Sequence, residues 1–454
     1  MSSDATRRWQ RLDRRHHLHP FTDHAALAKR GARVIVRAEG VHLWDSEGRR
    51  LLDGMAGLWN VNVGYGRHEL ADAAASQLRE LPYYNTFFHT TTPPAIELSE
   101  RLAALTPAGL DLAFFTGSGS EANDTLVKIV RYFWNLQDRL EKKIIISREY
   151  AYHGATLAAA SLSGLAPMHP QADLPLPGFV HVAAPYWYVG GGDLTPDEFG
   201  LEAARALERK IAELGPDRVA AFFAEPIQGA GGVIVPPATY WPEIQRICAD
   251  NDVLLVVDEV ICGFGRTGRW FGSDRYAIAP DLMTLGKGLS SGYLPIAAAM
   301  VGGRVAEALT TANEEFSHGF TYSGHPAACA VALANLRLLE DGGLIARAGE
   351  DTGPYLQARL RELADHPLVG EVRGVGLIAA LELVADKAGR RPFPPERKVG
   401  QICRDHCFDN GLIMRAVRDV MVLSPSLVIG RNEIDELIDK AALCLDLTAR
   451  DLGV

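Results

Sequence analysis

The sequence predicts an α/β protein: a mostly parallel central sheet flanked by helices, with a smaller α+β domain. From about residue 60, short apolar runs of strand length alternate with amphipathic helical segments, a pattern typical of strand–helix–strand units. The chain has 454 residues and is 47% hydrophobic, which is enough for one large core and a smaller one. Near residue 325 the pattern changes to long helical stretches followed by a last strand and helix.

The predicted large domain covers residues 60–325. Gly215-Pro216 ends the second of two clear amphipathic helices, in which apolar residues recur on one face. The two helical segments are EANDTLVKIVRYFWN (121–135) and LEAARALERKIAELG (201–215). The apolar runs predicted as strands are LDLAFF (110–115), KIIIS (143–147), VAAFFAEP (219–226), VLLVVDE (253–259) and DLMTL (281–285).

Two smaller regions flank this domain. Residues 1–59 are expected to form a charged arm and a small antiparallel segment that packs with the C-terminal domain. In that segment, two β-type runs are joined by the turn signal Ser46–Gly48. Residues 326–454 are predicted to form the small α+β domain.

Composition and charge exclude several classes of function. A net charge of −10 and a pI near 5.8 disfavour a nucleic-acid partner. No apolar run approaches a membrane span, and the charged N-terminus does not resemble a signal peptide. Six scattered cysteines suit a reducing compartment, so we expect a cytoplasmic enzyme. Cys403, His406 and Cys407 share one helical turn but lack a second ligand pair, so no metal site is assigned.

The segment GFGRTG (263–268) has the glycine spacing of a dinucleotide-binding loop. That fingerprint requires its first glycine directly after a strand and a helix opening at its third. Here five residues, Asp258 to Cys262, separate the strand from Gly263, and the residues after Gly268 have no helical period. We therefore expect no nicotinamide site, which argues against an oxidoreductase.

Asp258 and Lys287 each follow an apolar strand, 29 residues apart (287 minus 258). Open α/β sheets bind their ligands at the carboxyl ends of such strands. A lysine there can form a Schiff base with pyridoxal 5′-phosphate, and a carboxylate can hold the pyridine nitrogen protonated. Either residue alone fits a surface lysine or a strand-end cap, but the pair favours the cofactor. Glu259 points to the other face of the strand and is expected to be structural.

Two further segments suit the same cofactor. TGSGSEAN (116–123) places Gly119 and Ser120 between a strand and a helix N-terminus, where free N–H groups favour a phosphate. A plain capped loop is the alternative, since Ser120 would also cap the helix. Tyr152, after the strand KIIIS, can stack on the pyridine ring, although a core tyrosine is also possible.

Taken together, GSGSEAND, YHG, AEPIQGAGG, DEVICGFGRTG and TLGKG closely resemble the class III aminotransferases of fold type I. Their order and spacing match from about residue 20 to the last unit. The resemblance implies a pyridoxal-phosphate enzyme and a homodimer, with dimer and tetramer both open, whose active sites lie at the subunit boundary. It also identifies GFGRTG as a structural loop beside Asp258.

The resemblance assigns roles residue by residue. Lys287 is the Schiff-base lysine that also moves the substrate proton. Thr321 is a phosphate ligand donated by the other subunit, and Val260 packs on the ring face opposite Tyr152. The remaining cofactor contacts implied are Gly119, Ser120, Glu225, Gln228, near the ring hydroxyl, and Asp258, at the pyridine nitrogen.

Within this class, HHLHPFTDH, DGMAGLWNVNVGYG, YYNTFF and LIMRAV resemble the ω-transaminases that use pyruvate as amino acceptor. Phe21, Trp59 and Phe87 then form the walls of the substrate pocket, with Phe87 reaching across the dimer. Arg415 matches the mobile arginine that binds the pyruvate carboxylate, and Arg418 is its rival.

The resemblance leaves several points of function open. The amine donor is a diamine, an ω-amino acid or an arylalkylamine. A decarboxylase, an aminomutase or a non-catalytic binding protein with this fold would share the cofactor residues.

Overall fold

Three sheets organise the fold in a computed structural model, which describes residues 3–454. Among these residues, no helix combines the length and apolarity needed to cross a bilayer. The strands are β1 (Ile35–Glu39), β2 (His42–Asp45), β3 (Arg50–Asp53), β4 (Leu112–Thr116), β5 (Ile144–Arg148), β6 (Phe179–Val182), β7 (Val219–Ala224), β8 (Leu254–Asp258), β9 (Leu282–Leu285), β10 (Ala297–Val301), β11 (Val369–Val375), β12 (Ile378–Leu383), β13 (Leu412–Ile413), β14 (Arg415–Val417) and β15 (Val420–Leu423). The α-helices are α1 (Asp4–His16), α2 (His24–Arg30), α3 (Ala56–Trp59), α4 (His68–Glu80), α5 (Pro93–Leu105), α6 (Gly119–Leu136), α7 (Leu157–Leu162), α8 (Trp187–Gly190), α9 (Pro196–Leu214), α10 (Tyr240–Asp250), α11 (Gly272–Tyr276), α12 (Gly303–Thr311), α13 (Pro326–Asp341), α14 (Leu344–Glu350), α15 (Thr352–Arg361), α16 (Val399–Asp409) and α17 (Arg431–Leu452).

The large sheet has seven strands in the order β4-β10-β9-β8-β7-β5-β6. Strand β10 runs antiparallel to both of its neighbours, and the other neighbouring pairs are parallel. Along β8, Leu254 and Val256 belong to the core that includes α6, whereas Leu255 and Val257 belong to the core that includes α9 and α10. Because successive side chains of a strand point to opposite faces, helices cover both faces of this sheet. The predicted fold class is confirmed.

The N-terminal segment is joined to the C-terminal part of the chain by backbone pairing. Strands β1, β2 and β3 form an antiparallel sheet, and β13 adds to β3 in parallel. The prediction of two β-type runs here was wrong, because the first run folds back at Gly40, whose φ of +59° suits a residue without Cβ. A third sheet has the order β11-β12-β15-β14. The domain limits at residues 59 and 325 stay a prediction.

GFGRTG forms a loop that connects the large sheet to distant parts of the chain. Arg266, at its centre, is fully buried and donates hydrogen bonds to the carbonyl oxygens of Leu377 and Pro425. It also donates to Asn62 Oδ1 at 2.8 Å. Gly268 has a φ of +80° and opens no helix. The segment thus holds the N-terminal and C-terminal regions next to the strand that carries Asp258.

Candidate active site

A cavity of about 360 Å³ opens at the carboxyl ends of β7, β8 and β9. It contains seven of the residues that the sequence assigned to the cofactor, brought together from five separate segments of the chain. These are Gly119, Ser120, Tyr152, Glu225, Asp258, Val260 and Lys287. The cavity also has Asn60, His153 and Ile261 in its wall.

Asp258 lies at the end of β8 with 3% of its surface exposed and is held by three donors. Its Oδ2 accepts hydrogen bonds from Asn123 Nδ2 and His153 Nδ1, both at 2.8 Å. Its Oδ1 accepts one from the backbone N–H of Val260 at 3.0 Å. These hydrogen bonds fix the orientation of the Asp258 side chain, which lines the cavity.

Lys287 follows β9 and begins a short 3-10 turn, with a φ of +42°. Desolvation lowers the pKa of its ammonium group, while the charges of Asp258 and Glu225 act in the opposite direction. Burial thus favours the neutral amine, which is the form that reacts with an aldehyde. The positive φ of Lys287 turns the backbone at the edge of the cavity.

The loop between β4 and α6 forms an anion-binding cradle. The helix cap is Ser118, whose side chain accepts from the N–H of Glu121 at 3.2 Å. The expectation that Ser120 caps the helix was therefore wrong, and Ser120 Oγ instead accepts from the N–H of Ala155 at 3.1 Å. A Cβ added at Gly119 would lie 3.0 Å from the Val260 side chain. A larger residue at this position would require the Val260 side chain to shift.

Glu225, just beyond β7, fixes two loops at the cavity. Its carboxylate accepts from the N–H of Tyr152 at 3.1 Å and from the N–H of Gly229 at 2.9 Å. Burial raises its pKa. Gln228 is fully buried but does not line the cavity, and its Nε2 donates to the carbonyl of Glu149 at 2.8 Å. The Oε1 of Gln228 has no hydrogen-bond partner among residues 3–454.

Glu259 points away from the cavity, as expected. Its carboxylate accepts hydrogen bonds from the N–H of Gly272 at 2.9 Å and from Ser273, through the N–H at 2.6 Å and Oγ at 2.7 Å. Burial raises its pKa to about 7, against the lowering effect of these bonds. Glu259 therefore ties the GFGRTG loop and α11 to β8.

Arg415 and Arg418 have different surroundings. The guanidinium carbon of Arg415 lies 4.8 Å from the ring centroid of Trp59, and its charge acts on both Tyr152 and Lys287. Arg415 has no carboxylate partner within residues 3–454. Arg418 is exposed at the β14–β15 turn and donates to a backbone carbonyl at 3.1 Å.

Trp59 and Phe21 lie next to the cavity on the N-terminal side. Trp59 is 3% exposed and has a φ of +61°, and its Nε1 has no hydrogen-bond partner in the described part of the chain. Its loop is anchored by Asp53, whose carboxylate accepts from two backbone N–H groups at 2.9 and 2.7 Å. The ring of Phe21 meets that of Tyr152 edge-on at 6.3 Å, although Phe21 is 74% exposed.

Phe87 and Thr321 are not part of this cavity wall. Both are exposed, and their segments pack against each other. Tyr83 Oη donates to the carbonyl of Thr321 at 2.7 Å, and the Phe87 ring covers Gly319. We call this surface, formed by residues 83–88 and 319–323, the aromatic surface.

Sequence reasoning missed the residues that position Asp258. Asn123 Nδ2 also donates to the carbonyl of His153 at 2.7 Å, and its Oδ1 accepts from Thr284 Oγ1 at 2.6 Å. Asn123 directly follows Ala122 in the motif GSGSEAND, and His153 directly follows Tyr152 in the motif YHG. The only sequence signal for either residue was a polar side chain at a position where an apolar one was expected.

The site fits pyridoxal phosphate on its own chemistry. A part-buried lysine with a lowered pKa faces a buried carboxylate across the cavity, and a helix N-terminus with a glycine-lined cradle lies beside them. Lys287, Asp258 and the Gly119–Ser120 backbone would hold the aldehyde, the pyridine nitrogen and the phosphate. Tyr152 and Val260 also line the cavity, where their side chains would contact the two ring faces.

Comparison with known proteins agrees with this donor set. The chain belongs to the class III aminotransferase family, whose sequence profile matches residues 26–445. It is therefore a pyridoxal-phosphate-dependent aminotransferase of fold type I, as the sequence motifs indicated.

Individual relatives are similar over nearly their whole length. A putrescine–pyruvate aminotransferase of Pseudomonas aeruginosa is 58% identical over 444 residues, covering 98% of this chain and 97% of that protein. An (S)-enantioselective omega-transaminase from Thermomicrobium roseum has a TM-score of 0.95 and 46% identity, with 99% of each chain covered. The omega-transaminase of Pseudomonas jessenii, solved in complex with PMP, has a TM-score of 0.96 and 43% identity over 98% of this chain and 99% of that one.

Proposed function

We propose that this aminotransferase moves an amino group from a primary amine to pyruvate, which becomes alanine. The observation that carries the proposal is a cavity in which Lys287 and Asp258 lie close to Arg415, an arginine with no carboxylate partner in residues 3–454. The 58% identical relative is named for the same acceptor, pyruvate.

We further propose a linear diamine of the putrescine type as the amine donor. The named donor of that relative supports this choice over an ω-amino acid. The half-buried Tyr152 lines the cavity and offers apolar surface to a methylene chain, and Phe21 adds a second ring at the rim. Trp59 is buried in the apolar cluster against which Tyr152 packs. An ω-amino acid would bring to these walls a carboxylate, which a diamine lacks.

The roles of the chain's own residues follow from their positions. When bound, pyridoxal phosphate supplies an aldehyde and an electron-withdrawing ring on which an amino group can be held between two substrates. Lys287 Nζ, whose pKa burial lowers, accepts and returns the proton at the substrate carbon. Asn123 and His153 both donate to Asp258 and hold its carboxyl group in place.

Arg415 is proposed as the carboxylate-binding arginine. Its guanidinium stacks near Trp59 and is partly desolvated, which lowers its pKa without removing its charge at neutral pH. Arginine binds a carboxylate through two parallel hydrogen bonds. A diamine has no carboxylate and needs no such partner, so the same side chain serves only the pyruvate half of the reaction.

The active enzyme is proposed to be a homodimer, and a dimer of dimers is equally compatible. The aromatic surface exposes Tyr84, Phe87, Phe88 and Tyr322, a larger apolar patch than scattered exposed residues would give. Pairing of two such surfaces would bury these rings and bring Phe87 and Thr321 to the partner's cavity.

A cytoplasmic location is proposed on the state of the cysteines. All six are buried free thiols, which suits a reducing compartment.

Product analysis tests the proposed reaction. Purified enzyme with putrescine and pyruvate should form alanine in equal amount to the pyruvate consumed, without release of carbon dioxide. If no alanine forms, the proposed reaction is wrong, and release of carbon dioxide or an isomerised product from an amino acid offered in place of putrescine would indicate a decarboxylase or an aminomutase.

A further inference from the structure

Three potential metal ligands converge at the end of α1, in the N-terminal arm. Asp13 Oδ1 lies 3.1 Å from His17 Nδ1 and 2.8 Å from His19 Nε2. The three ligand atoms all lie within 4.8 Å of one another, and the two imidazole rings are 4.3 Å apart at their centroids. The catalytic account makes no use of this cluster.

The backbone around the cluster is fixed on both sides. His17 follows the last residue of α1, and its N–H donates to the carbonyl of Asp13 at 2.9 Å. The N–H of His19 donates to His24 Nε2 at 3.1 Å, and Asp23 caps α2 through two N–H bonds at 3.0 Å. Both histidines are therefore held near Asp13 by the ends of two helices.

The ligand types select a class of metal. Two imidazoles and one carboxylate suit zinc, nickel or copper, whereas magnesium and calcium prefer oxygen ligands alone. Ligands at about 2.1 Å from a tetrahedral zinc ion lie roughly 3.4 Å apart, close to the separations found here. The carbonyl end of α1 adds a partial negative charge that favours a cation.

The remaining coordination position faces solvent. The side chain of His17 is 62% exposed, so a water molecule or an entering ion has free access. Arg14 and Arg15 are exposed on the same helical turn, and their charge opposes any cation, so a bound metal must be held by its ligand bonds.

We propose that Asp13, His17 and His19 form a binding site for a divalent transition metal, with zinc as the reference ion. This departs from the sequence-based expectation, which considered Cys403, His406 and Cys407 and assigned no metal. The His406 ring is in fact paired with Asp451 Oδ2 at 2.7 Å. The new site lies two residues before Phe21, so a bound metal would fix the segment that carries Phe21 to the cavity rim.

Metal titration of the tag-free holoenzyme tests the site. Zinc binding is measured by calorimetry, without amine or amino acid, on the wild type and on a His17→Gln/His19→Gln double variant. We expect one tight zinc ion per chain in the wild type and binding at least about tenfold weaker in the double variant. Magnesium should give no signal at the same concentration.

Three further variants serve as controls. His16→Gln removes a neighbouring histidine outside the cluster and should bind zinc like the wild type. Asp13→Asn, which preserves side-chain shape, should weaken zinc binding. Lys287→Ala should leave it unchanged, so that failure of the catalytic proposal and failure of the metal site are distinguishable.

Either of two results would overturn the proposal. One is equal zinc affinity in the wild type and the double variant, which would place the metal elsewhere. The other is the absence of tight zinc binding in the wild type. A second readout is amide hydrogen exchange of residues 14–23, which zinc should slow in the wild type and not in the double variant.

Discussion

The guanidinium carbon of Arg415 lies 4.8 Å from the ring centroid of Trp59, beside the cavity that holds Lys287. This stacking keeps a cation near the reaction centre without tying it to a carboxylate, since none pairs with it in residues 3–454. The side chain is therefore available for an incoming carboxylate. Arg418, three residues on, is already engaged by the carbonyl of Gly231.

Arg415→Ala is expected to weaken pyruvate use selectively. Loss of a charged, hydrogen-bonded pair costs about 1.5 to 3 kcal/mol, which corresponds to about a 10- to 150-fold fall in kcat/KM for pyruvate. The rate of the amine half-reaction, measured by stopped-flow absorbance, should change little. Arg418→Ala is the matched control and should leave both half-reactions near wild type. Equal damage to both half-reactions by Arg415→Ala would indicate a structural arginine.

Lys287→Ala is expected to abolish turnover and retain the cofactor. The variant loses the group that moves the substrate proton, so kcat should fall by at least about 10³-fold. Pyridoxal phosphate should still bind through the phosphate cradle and Asp258, as shown by equilibrium dialysis. The control is Lys210→Ala, a half-buried lysine of α9 that does not line the cavity. Residual turnover near the wild-type rate would rule out the proposed role.

Asp258→Asn is expected to lower kcat by about 10²-fold or more, because the fixed negative charge at the pyridine nitrogen is lost. Asparagine has almost the same shape, so the cavity should remain intact. Asp281→Asn is the matched control, since Asp281 accepts from the N–H of Leu255 outside the cavity. Comparison of kcat for the two variants at equal cofactor occupancy tests the assignment. Similar losses in both would point to a general effect on the sheet.

Glu259 should make stability depend on pH. Its pKa rises from an ordinary 4.5 to about 7 in the folded protein, chiefly through burial. The folded state then binds this proton more tightly than the unfolded chain, so stability falls as pH rises from 4.5 to 7. The full effect is about 3 kcal/mol at 1.36 kcal/mol per pH unit.

Urea unfolding of the wild type and Glu259→Gln at pH 5 and pH 8 measures this effect. The glutamine variant lacks the titrating group. Relative to the wild type, its free energy of unfolding should therefore be higher at pH 8 than at pH 5. A difference that stays constant between the two pH values would show that Glu259 is ionised at both.

Five of the seven strands of the large sheet, namely β4, β5, β7, β8 and β9, were predicted from their apolar runs, whereas β6 and β10 were not. The run from Leu254 to Val257 is continuous and apolar, and it ends at an acidic pair, so its limits were found within one residue. The fold at Gly40 was missed because the β-type segments before and after it, now β1 and β2, were read as one run. A single glycine can reverse the chain direction there, and the hydrophobic pattern of the sequence does not show such a turn.

Site residues were predictable where chemistry demands a particular residue type, as at Lys287 and Asp258. The N-cap of α6 was not predictable, because serine is a good cap at both Ser118 and Ser120. The path of the chain after β4 decides which of them caps the helix. Asn123 and His153 were missed since their function exists only through contact with Asp258. Phe87 and Thr321 rest on the resemblance alone, because their proposed sites lie in another subunit.

The visible absorption of the purified holoenzyme, followed through two additions, is the decisive test of amine-to-pyruvate transfer. We expect a yellow protein whose colour fades when putrescine is added and returns when pyruvate follows, with one alanine formed per active site. A yellow protein that putrescine never bleaches, or one whose colour pyruvate cannot restore, would contradict amine-to-pyruvate transfer.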